Sequence, residues 1–431
     1  MGPVRFRVFP TLFAMLLLVV AVSTPAQLAP ARAVRGELGL QRLATGAVIP
    51  GSYVVDLRAG DPAVVAAEHA RFGVRVDRIL RTALRGYTAR MSADAARRVA
   101  ADPRVSRVTP DRVFRDSARQ IPPGVFRYSS QQIPTGIRRV RAPESSTHAG
   151  VDSGTVNSDV AILDTGVELK HPDLNVAGGV DCVPGTSGYD DERGHGTHIA
   201  GIAAAKDTGS GVVGVAPGAR IWAVRVLDAA GDGSLATLAC GIDWVTAHAA
   251  TIKVANMSLV GRDTDQGCHD GALHEAICRS VAAGVVYTVA AGNDGVDAAG
   301  YTPASYPEVI AVGALADYDG RPGGLGQEPV DCPGGPDDQF ANFSDYGAPI
   351  ALIAPGVCIR STWINDGYAT LTGTSQAAAH VAGAVALYRS THPLASPAQV
   401  REALVTASSR DWTTTSSPDH RAYGLLDVSS F

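Results

Sequence analysis

The chain has 431 residues, 45% of them hydrophobic and 18% charged, a globular composition that excludes a disordered chain. Its 47 glycines and 26 prolines follow no collagen period and no longer repeat recurs, so a collagen, a coiled coil and a repeat array are excluded too. The net charge of −5 hides a division: residues 34–119 hold 16 Arg, no Lys and 9 acidic residues, and residues 120–431 hold 18 basic and 33 acidic ones. A body this acidic argues against nucleic acid as a partner and for cationic or neutral substrates, and the two blocks should attract each other.

In chain order, residues 1–33 read as a secretory signal. Arg5 and Arg7 form the basic start, Leu12 to Val22 the apolar stretch, and Ala31-Arg32-Ala33 a small-x-small cleavage site. The apolar stretch is too short to span a membrane, so the expectation is a secreted protein with no membrane contact after signal removal. Gly51–Arg58 then predicts a strand, Pro62–Phe72 a helix, Gly86–Met91 a strand, Ser92 a cap on a helix to Ala101, and Val105–Pro110 a third strand. Residues 34–119 thus make a small α+β unit, and residues 120–145, with Pro122, Pro123, Gly124 and Pro134, read as an irregular linker. From there the pattern alternates. Strands are predicted at Val160–Leu163, Arg220–Leu227, Val254–Leu259 and Val285–Ala290, and helices at Gly194–Ala205, Leu235–His248, His269–Ala283 and Ser375–Ser390. Apolar runs between helices predict a doubly wound, mainly parallel α/β sheet covered on both faces across residues 146–431, with its site at the carboxyl ends of the strands.

The six cysteines lie in the acidic body, and export places them in an oxidising compartment. Of the 15 pairings open to six cysteines, nearness favours Cys268–Cys278. Cys332–Cys358 and Cys182–Cys240 are one division of the remainder. No CxxC spacing suggests zinc.

Three segments carry chemistry. Val160-Ala-Ile-Leu-Asp164 sets a carboxylate at the end of a buried strand, Gly194-His195-Gly-Thr-His198 opens a helix with an imidazole, and Gly373-Thr-Ser375 opens another with a hydroxyl. An acid, an imidazole and a hydroxyl are the parts of a nucleophilic triad: the base takes the hydroxyl proton, and the acid fixes the base's tautomer. His195 and His198 at i and i+3 could also ligate a metal, but no third ligand accompanies them.

These segments, in the order Asp–His–Ser, resemble the subtilisin family of serine proteases. Val224–Asp228, Tyr301–Ser305 and Phe343–Gly347 are similar to its branch nearest proteinase K. The resemblance implies Asp164 as orienting acid, His195 as general base, Ser375 as nucleophile and Asn293, in Ala290-Ala-Gly-Asn-Asp-Gly295, as oxyanion donor. It implies substrate-binding roles for Gly231, Gly233, Ser258, Leu259, Val260, Ala290, Ala291 and Gly292. The small pocket walls imply an apolar or aromatic preference for the residue before the cut. It implies no required cofactor and no assigned metal site. Calcium, a structural ion in such enzymes, has lost one expected ligand to Ala351, and the acidic loop at Asp337 and Asp338 is left unassigned. Residues 34–119 resemble the family's propeptide, an intramolecular inhibitor removed by a cut between Phe114 and Ser130. The expected product is a monomeric, autoprocessed endopeptidase acting on proteins or peptides, with a cis Thr302–Pro303 bond. Gln376, Ala379, Val260 and Arg193 depart from the family pattern, and Val260 is expected to crowd the cleft. The competing readings are a silent binding module, which intact triad residues argue against, and a narrow protease for basic sites, which needs an acid-lined pocket.

Overall fold

The computed structural model describes residues 1–2, 43–116, 126–128, 130–151, 154–262 and 267–431. The elements from Val48 onward belong to one compact unit, residues 35–431. Most of the predicted signal segment, and the predicted cleavage region from residue 117 to 125, lie outside the described residues. Among the described residues no helix is long and apolar enough to cross a membrane.

Residues 43–116 form an α+β unit in the order β1 (Val48–Leu57), α1 (Pro62–His69), β2 (Arg75–Leu80), β3 (Gly86–Arg90), α2 (Ala93–Ala100) and β4 (Val105–Asp116). Ser92 caps α2 through its side chain, as its position ahead of an alanine-rich run predicts, and Asp61 does the same for α1. The strands run antiparallel in the order β4-β1-β3-β2. Alternation along β1 assigns its faces: Val55 and Leu57 enter a core of the unit's own with Val65, Tyr87 and Val99, whereas Val54 joins Leu80, Leu84 and Phe114 in a core shared with the rest of the chain. β2 was not expected from Arg-Val-Asp-Arg-Ile-Leu. It forms because β3 pairs with it.

A second correction concerns the predicted linker. α3 (Thr135–Arg139) starts at Pro134, and Ile137, Val140 and Ala142 are buried in the body's main core. Its Arg139 is buried against Asp317, Asp338 and Asp411, at 3.0, 2.9 and 3.2 Å. Residues 135–144 therefore pack with the body.

The body continues with β5 (Asp159–Asp164), β6 (Val176–Asp181), α4 (His195–Ala204), β7 (Arg220–Arg225), β8 (Asp232–Ser234), α5 (Leu235–Ala247), β9 (Val254–Met257), β10 (Leu259–Val260), α6 (Ala272–Ala282) and β11 (Val286–Ala290). Then come β12 (Ile310–Ala316), β13 (Gln339–Phe340), β14 (Ile350–Pro355), the hairpin β15 (Ile359–Trp363) and β16 (Gly367–Leu371), α7 (Thr374–Thr391) and α8 (Pro397–Ala407). The central sheet runs β6-β7-β5-β9-β11-β12-β14, all parallel, with β13 antiparallel on β12. Chain direction across the sheet reverses between β5 and β9, and a crevice at their carboxyl ends is the place such sheets use for a site. β5 is buried along its whole length. Val160 and Ile162 face the core with α4 and α7, and Ala161 and Leu163 face the core with α5. Burial on both faces is why its apolar run shows no alternation.

The disulfides are Cys268–Cys278, which nearness favoured, and Cys182–Cys240 and Cys332–Cys358, one of the divisions left open for the other four cysteines, and the Thr302–Pro303 bond is cis.

Candidate active site

Asp164 ends β5, and His195 is the first residue of α4. His195 Nδ1–H donates to Asp164 Oδ1 at 2.7 Å, and both side chains are fully buried. The backbone N–H of Thr165 donates to the same oxygen at 2.8 Å. The His195–Asp164 contact fixes the tautomer and leaves His195 Nε2 as a buried nitrogen with no hydrogen-bond partner among the described residues. Burial pushes the imidazole's pKa down, but the Asp164 charge and hydrogen bond, aided by Asp116, outweigh it, and the balance lies above the ordinary value.

Asp191 holds this geometry, and the sequence reading missed it. Its Oδ1 accepts from Gly194 N–H at 2.8 Å, Arg193 N–H at 2.9 Å and Thr165 Oγ1 at 2.9 Å, and its Oδ2 accepts from Thr197 N–H and Oγ1. A carboxylate three residues before Gly194 thus caps the helix that carries His195. The signal was available as an acid ahead of a helix start. His198 has a different part. Its Nε2–H is shared by the carbonyls of Ile359 and Ala369, at 3.1 and 3.2 Å, and burial, with His195 nearby, pushes its pKa down to about 3. It is a neutral tie between α4 and the β15–β16 hairpin, not half of a metal pair.

Ser375 lies in the first turn of α7, which packs against α4. Its carbonyl accepts from Ser258 Oγ at 3.0 Å, and its Oγ lies 3.4 Å from the Ser258 carbonyl. Asn256 Nδ2 holds Ser258 Oγ at 2.8 Å, and Thr288 Oγ1 holds Asn256 Oδ1 at 3.0 Å. Asn293 is held through its oxygen, which accepts from Thr374 N–H and Thr374 Oγ1, both at 2.9 Å. Its Nδ2 is left as a buried donor with no partner among the described residues. Gly292, at φ +119°, has no room for a side chain, since a Cβ would stand 2.0 Å from Asp345 Oδ2. Ala290 and Ala291 are fully buried. Gln376 is also buried, and nothing in the structure explains a glutamine there.

The end of β4 runs into this site. Val113, Phe114 and Arg115 pair antiparallel with Ser234, Gly233 and Asp232 on one side, and Arg115 and Asp116 pair with Val260 and Leu259 on the other. Asp116 N–H donates to Gly231 O at 3.1 Å. Val260 forms a regular backbone pair with Arg115. The Phe114 ring is fully buried against Gly261, where a Cβ would stand 2.2 Å from it. Behind β4, the α+β unit docks on α5 and α6. Asp111 accepts from Ala236 N–H at 3.0 Å at the start of α5. Asp243 on α5 accepts from the N–H groups of Arg81, Thr82 and Ala83 at 3.0, 2.6 and 2.7 Å. Arg107 bridges Asp56 and Glu275.

Among the described residues two groups come within reach of a single ion. In one, Cys268 and Cys278 are tied in a disulfide, leaving only His274 and Glu308. In the other, Asp317 is already paired with Arg139, and the Asp337 oxygens accept from the N–H groups of Tyr318 and Gly326. Ala351 offers no ligand. Asp319 completes this second group, whose ligand atoms are all carboxylate oxygens, the kind a structural calcium ion takes.

A family model for the subtilase family matches residues 156–425. The chain belongs to the subtilase family. It is therefore a serine endopeptidase, with a chemistry that calls for no cofactor. It is 40% identical to Subtilisin Savinase of Lederbergia lenta over 266 residues, 62% of this chain and 87% of that protein. It is likewise 40% identical to Subtilisin DY of Bacillus licheniformis over 251 residues, 58% of this chain and 82% of that one. Among solved structures, a cold adapted subtilisin-like serine proteinase covers 68% of this chain and 97% of its own at 28% identity, with a TM-score of 0.53.

Proposed function

We propose that this subtilase is made as a secreted precursor in which residues 1–33 are the signal, 34–119 a propeptide, 120–145 the maturation region and 146–431 the catalytic domain. The observation that carries this reading is the seating of Phe114, Arg115 and Asp116 as a strand between residues 231–233 and 259–260, the way an extended peptide adds to sheet edges. The register points onward. Asp116, the last described residue of this strand, faces Leu259, and the carbonyl of the neighbouring Ser258 lies beside Ser375 Oγ. The bond we assign to self-cleavage is Ser117–Ala118, within the interval expected from the sequence.

In the proposed mechanism Ser375 Oγ attacks the scissile carbonyl, and its proton passes to His195 Nε2. Asp164 stabilises the resulting imidazolium. Asn293 Nδ2 and the Ser375 N–H receive the developing oxyanion. His195 then gives the proton to the leaving amine, and water repeats the sequence to free the acyl-enzyme. Gly231, Gly233, Leu259 and Val260 bind the substrate backbone. Ala290, Ala291 and Gly292 wall the pocket before the cut, which suits apolar or aromatic residues, and the Phe114 site adds an aromatic pocket three residues upstream. The substrates are proteins or peptides, and the working form is a monomer free of the membrane.

The test is intact mass and N-terminal sequencing of the secreted product for wild type and Ser375→Ala. Wild type should begin at Ala118 and lose the block, and the variant should retain it. Identical trimming of both would overturn self-cleavage by Ser375.

A further inference from the structure

Arg193 stands immediately before the Gly194-His195 pair, where the family often has asparagine, and the catalytic chemistry proposed above does not use it. Its Nε lies 2.7 Å from Asp116 Oδ2, and its Nη1 reaches the Ala229 carbonyl at 3.5 Å. The Asp116 side chain is 8% exposed and that of Arg193 20%. Gly231 makes the room. It sits at φ +83°, and a Cβ there would stand 2.2 Å from Asp116 Oδ2 and 2.9 Å from Arg193 Cζ. The same glycine accepts the Asp116 N–H, so one residue of the seated strand is gripped by backbone and side chain together.

We propose that Arg193 makes this cleft selective for an acidic side chain at the second residue before the cut. The proposal rests on the peptidase reading, which makes Asp116 that residue. A carboxylate taken out of water needs a charged partner, and the guanidinium supplies one in place. A neutral side chain there leaves the guanidinium covered without a counter-charge, and a basic one is repelled by it. The preference is local and opposite to what the body's net negative charge suggests: the selecting charge is the one within 3 Å, not the sum over the surface.

The test uses four peptides differing only in the second residue before the cut, Asp, Asn, Ala or Lys, and the processed enzyme from full-length wild type, Arg193→Gln and Arg193→Glu, at about pH 8 where the peptide carboxylate is ionised. Wild type should show kcat/KM for Asp over Asn higher by about tenfold to a hundredfold, the low end of what close, largely buried charge pairs contribute. Arg193→Gln should flatten that ratio, and Arg193→Glu should invert it toward Lys. In the full chain, Asp116→Lys should slow self-conversion, and the pair Asp116→Lys with Arg193→Glu should restore it. Equal rates for Asp and Asn in wild type, an unchanged ratio in Arg193→Gln, or no restoration by the pair would each overturn the proposal. The Ala peptide separates the two readings. If wild type cleaves it without favouring Asp, only the selectivity falls; if wild type cleaves none of the four, the peptidase reading falls and the selectivity with it.

Discussion

The α+β unit and the body solve the same problem, covering a sheet, in opposite ways. The body sheet has helices on both faces, two buried cores and three disulfides. The antiparallel sheet of residues 43–116 has its own helices on one face only and completes the other against α5 and α6, with no cysteine at all. A unit of this size with one face of its sheet completed by the body is marginal alone. The contrast teaches where each is vulnerable: the body through the few atoms that do chemistry, the small unit through the surface it shares.

The largest effects should come from the body's site and leave the interface untouched. Asp164→Asn removes the acceptor that fixes the His195 tautomer and should lower kcat about 10⁴-fold. The melting temperature and the docking of residues 43–116 should stay near those of wild type. Asn293→Ala should cost roughly 10²–10³ in kcat, about 3–4 kcal/mol, a magnitude measured on a subtilisin rather than obtained from this structure. A KM change with kcat intact would show that Asn293 binds the ground state instead.

Interface changes should do the reverse. In the full chain carrying Ser375→Ala, Phe114→Ala empties a buried aromatic site worth about 3 kcal/mol. Hydrogen exchange in β4 should quicken roughly a hundredfold while the central sheet keeps its protection. Equal quickening in both would erase the distinction between the regions. Asp243→Asn keeps the shape but removes the charge that gathers the N–H groups of residues 81–83, a loss of about 1–2 kcal/mol seen as exchange about tenfold faster in that turn.

The smallest effect joins the two regions. Burial lowers the His195 pKa, Asp164 and then Asp116 raise it, Arg193 opposes them, and neighbouring His198 is neutral, so the balance lies above the ordinary value of about 6.5. The base acts only when neutral, so activity is lost as pH falls through this pKa. In the full chain Asp116→Asn removes one of the charges that raise this pKa while leaving the strand over His195 in place, so self-cleavage by that variant should persist to a slightly lower pH than by wild type. Coincident or reversed acid limbs in the two pH–rate profiles would show that Asp116 does not act on His195.

Segments whose meaning is local were legible in the sequence. Ser92 ahead of a helix, Cys268 near Cys278, and the fully buried run of β5 each carry their reason within a few residues. The segments around Asp164, His195 and Ser375 could be read for the same cause, since each places its functional group at the edge of one element. What escaped depends on partners distant in the chain. β2 is mostly charged and becomes a strand only through β3. α3, with Pro134 before it and Gly136 inside it, is too short for periodicity to show, and it is held by burial of Ile137. The continuation of β4 to Asp116 was read as the approach to a linker because its pairing partners lie more than a hundred residues ahead. Arg193 was visible as a departure from pattern, but its acidic neighbour was not.

The bridge between Cys182 and Cys240 spans 58 residues, fastening the chain just after β6 to the middle of α5, the helix on which residues 43–116 rest. Closing a loop of that length removes roughly 4 kcal/mol of unfolded-chain freedom on the entropic account. If the small unit is the propeptide proposed above, it acts like a jig in a workshop. It can hold α5 and the neighbouring strands in place while the bolt is driven, and once the bolt is in, taking the jig away need not loosen the work.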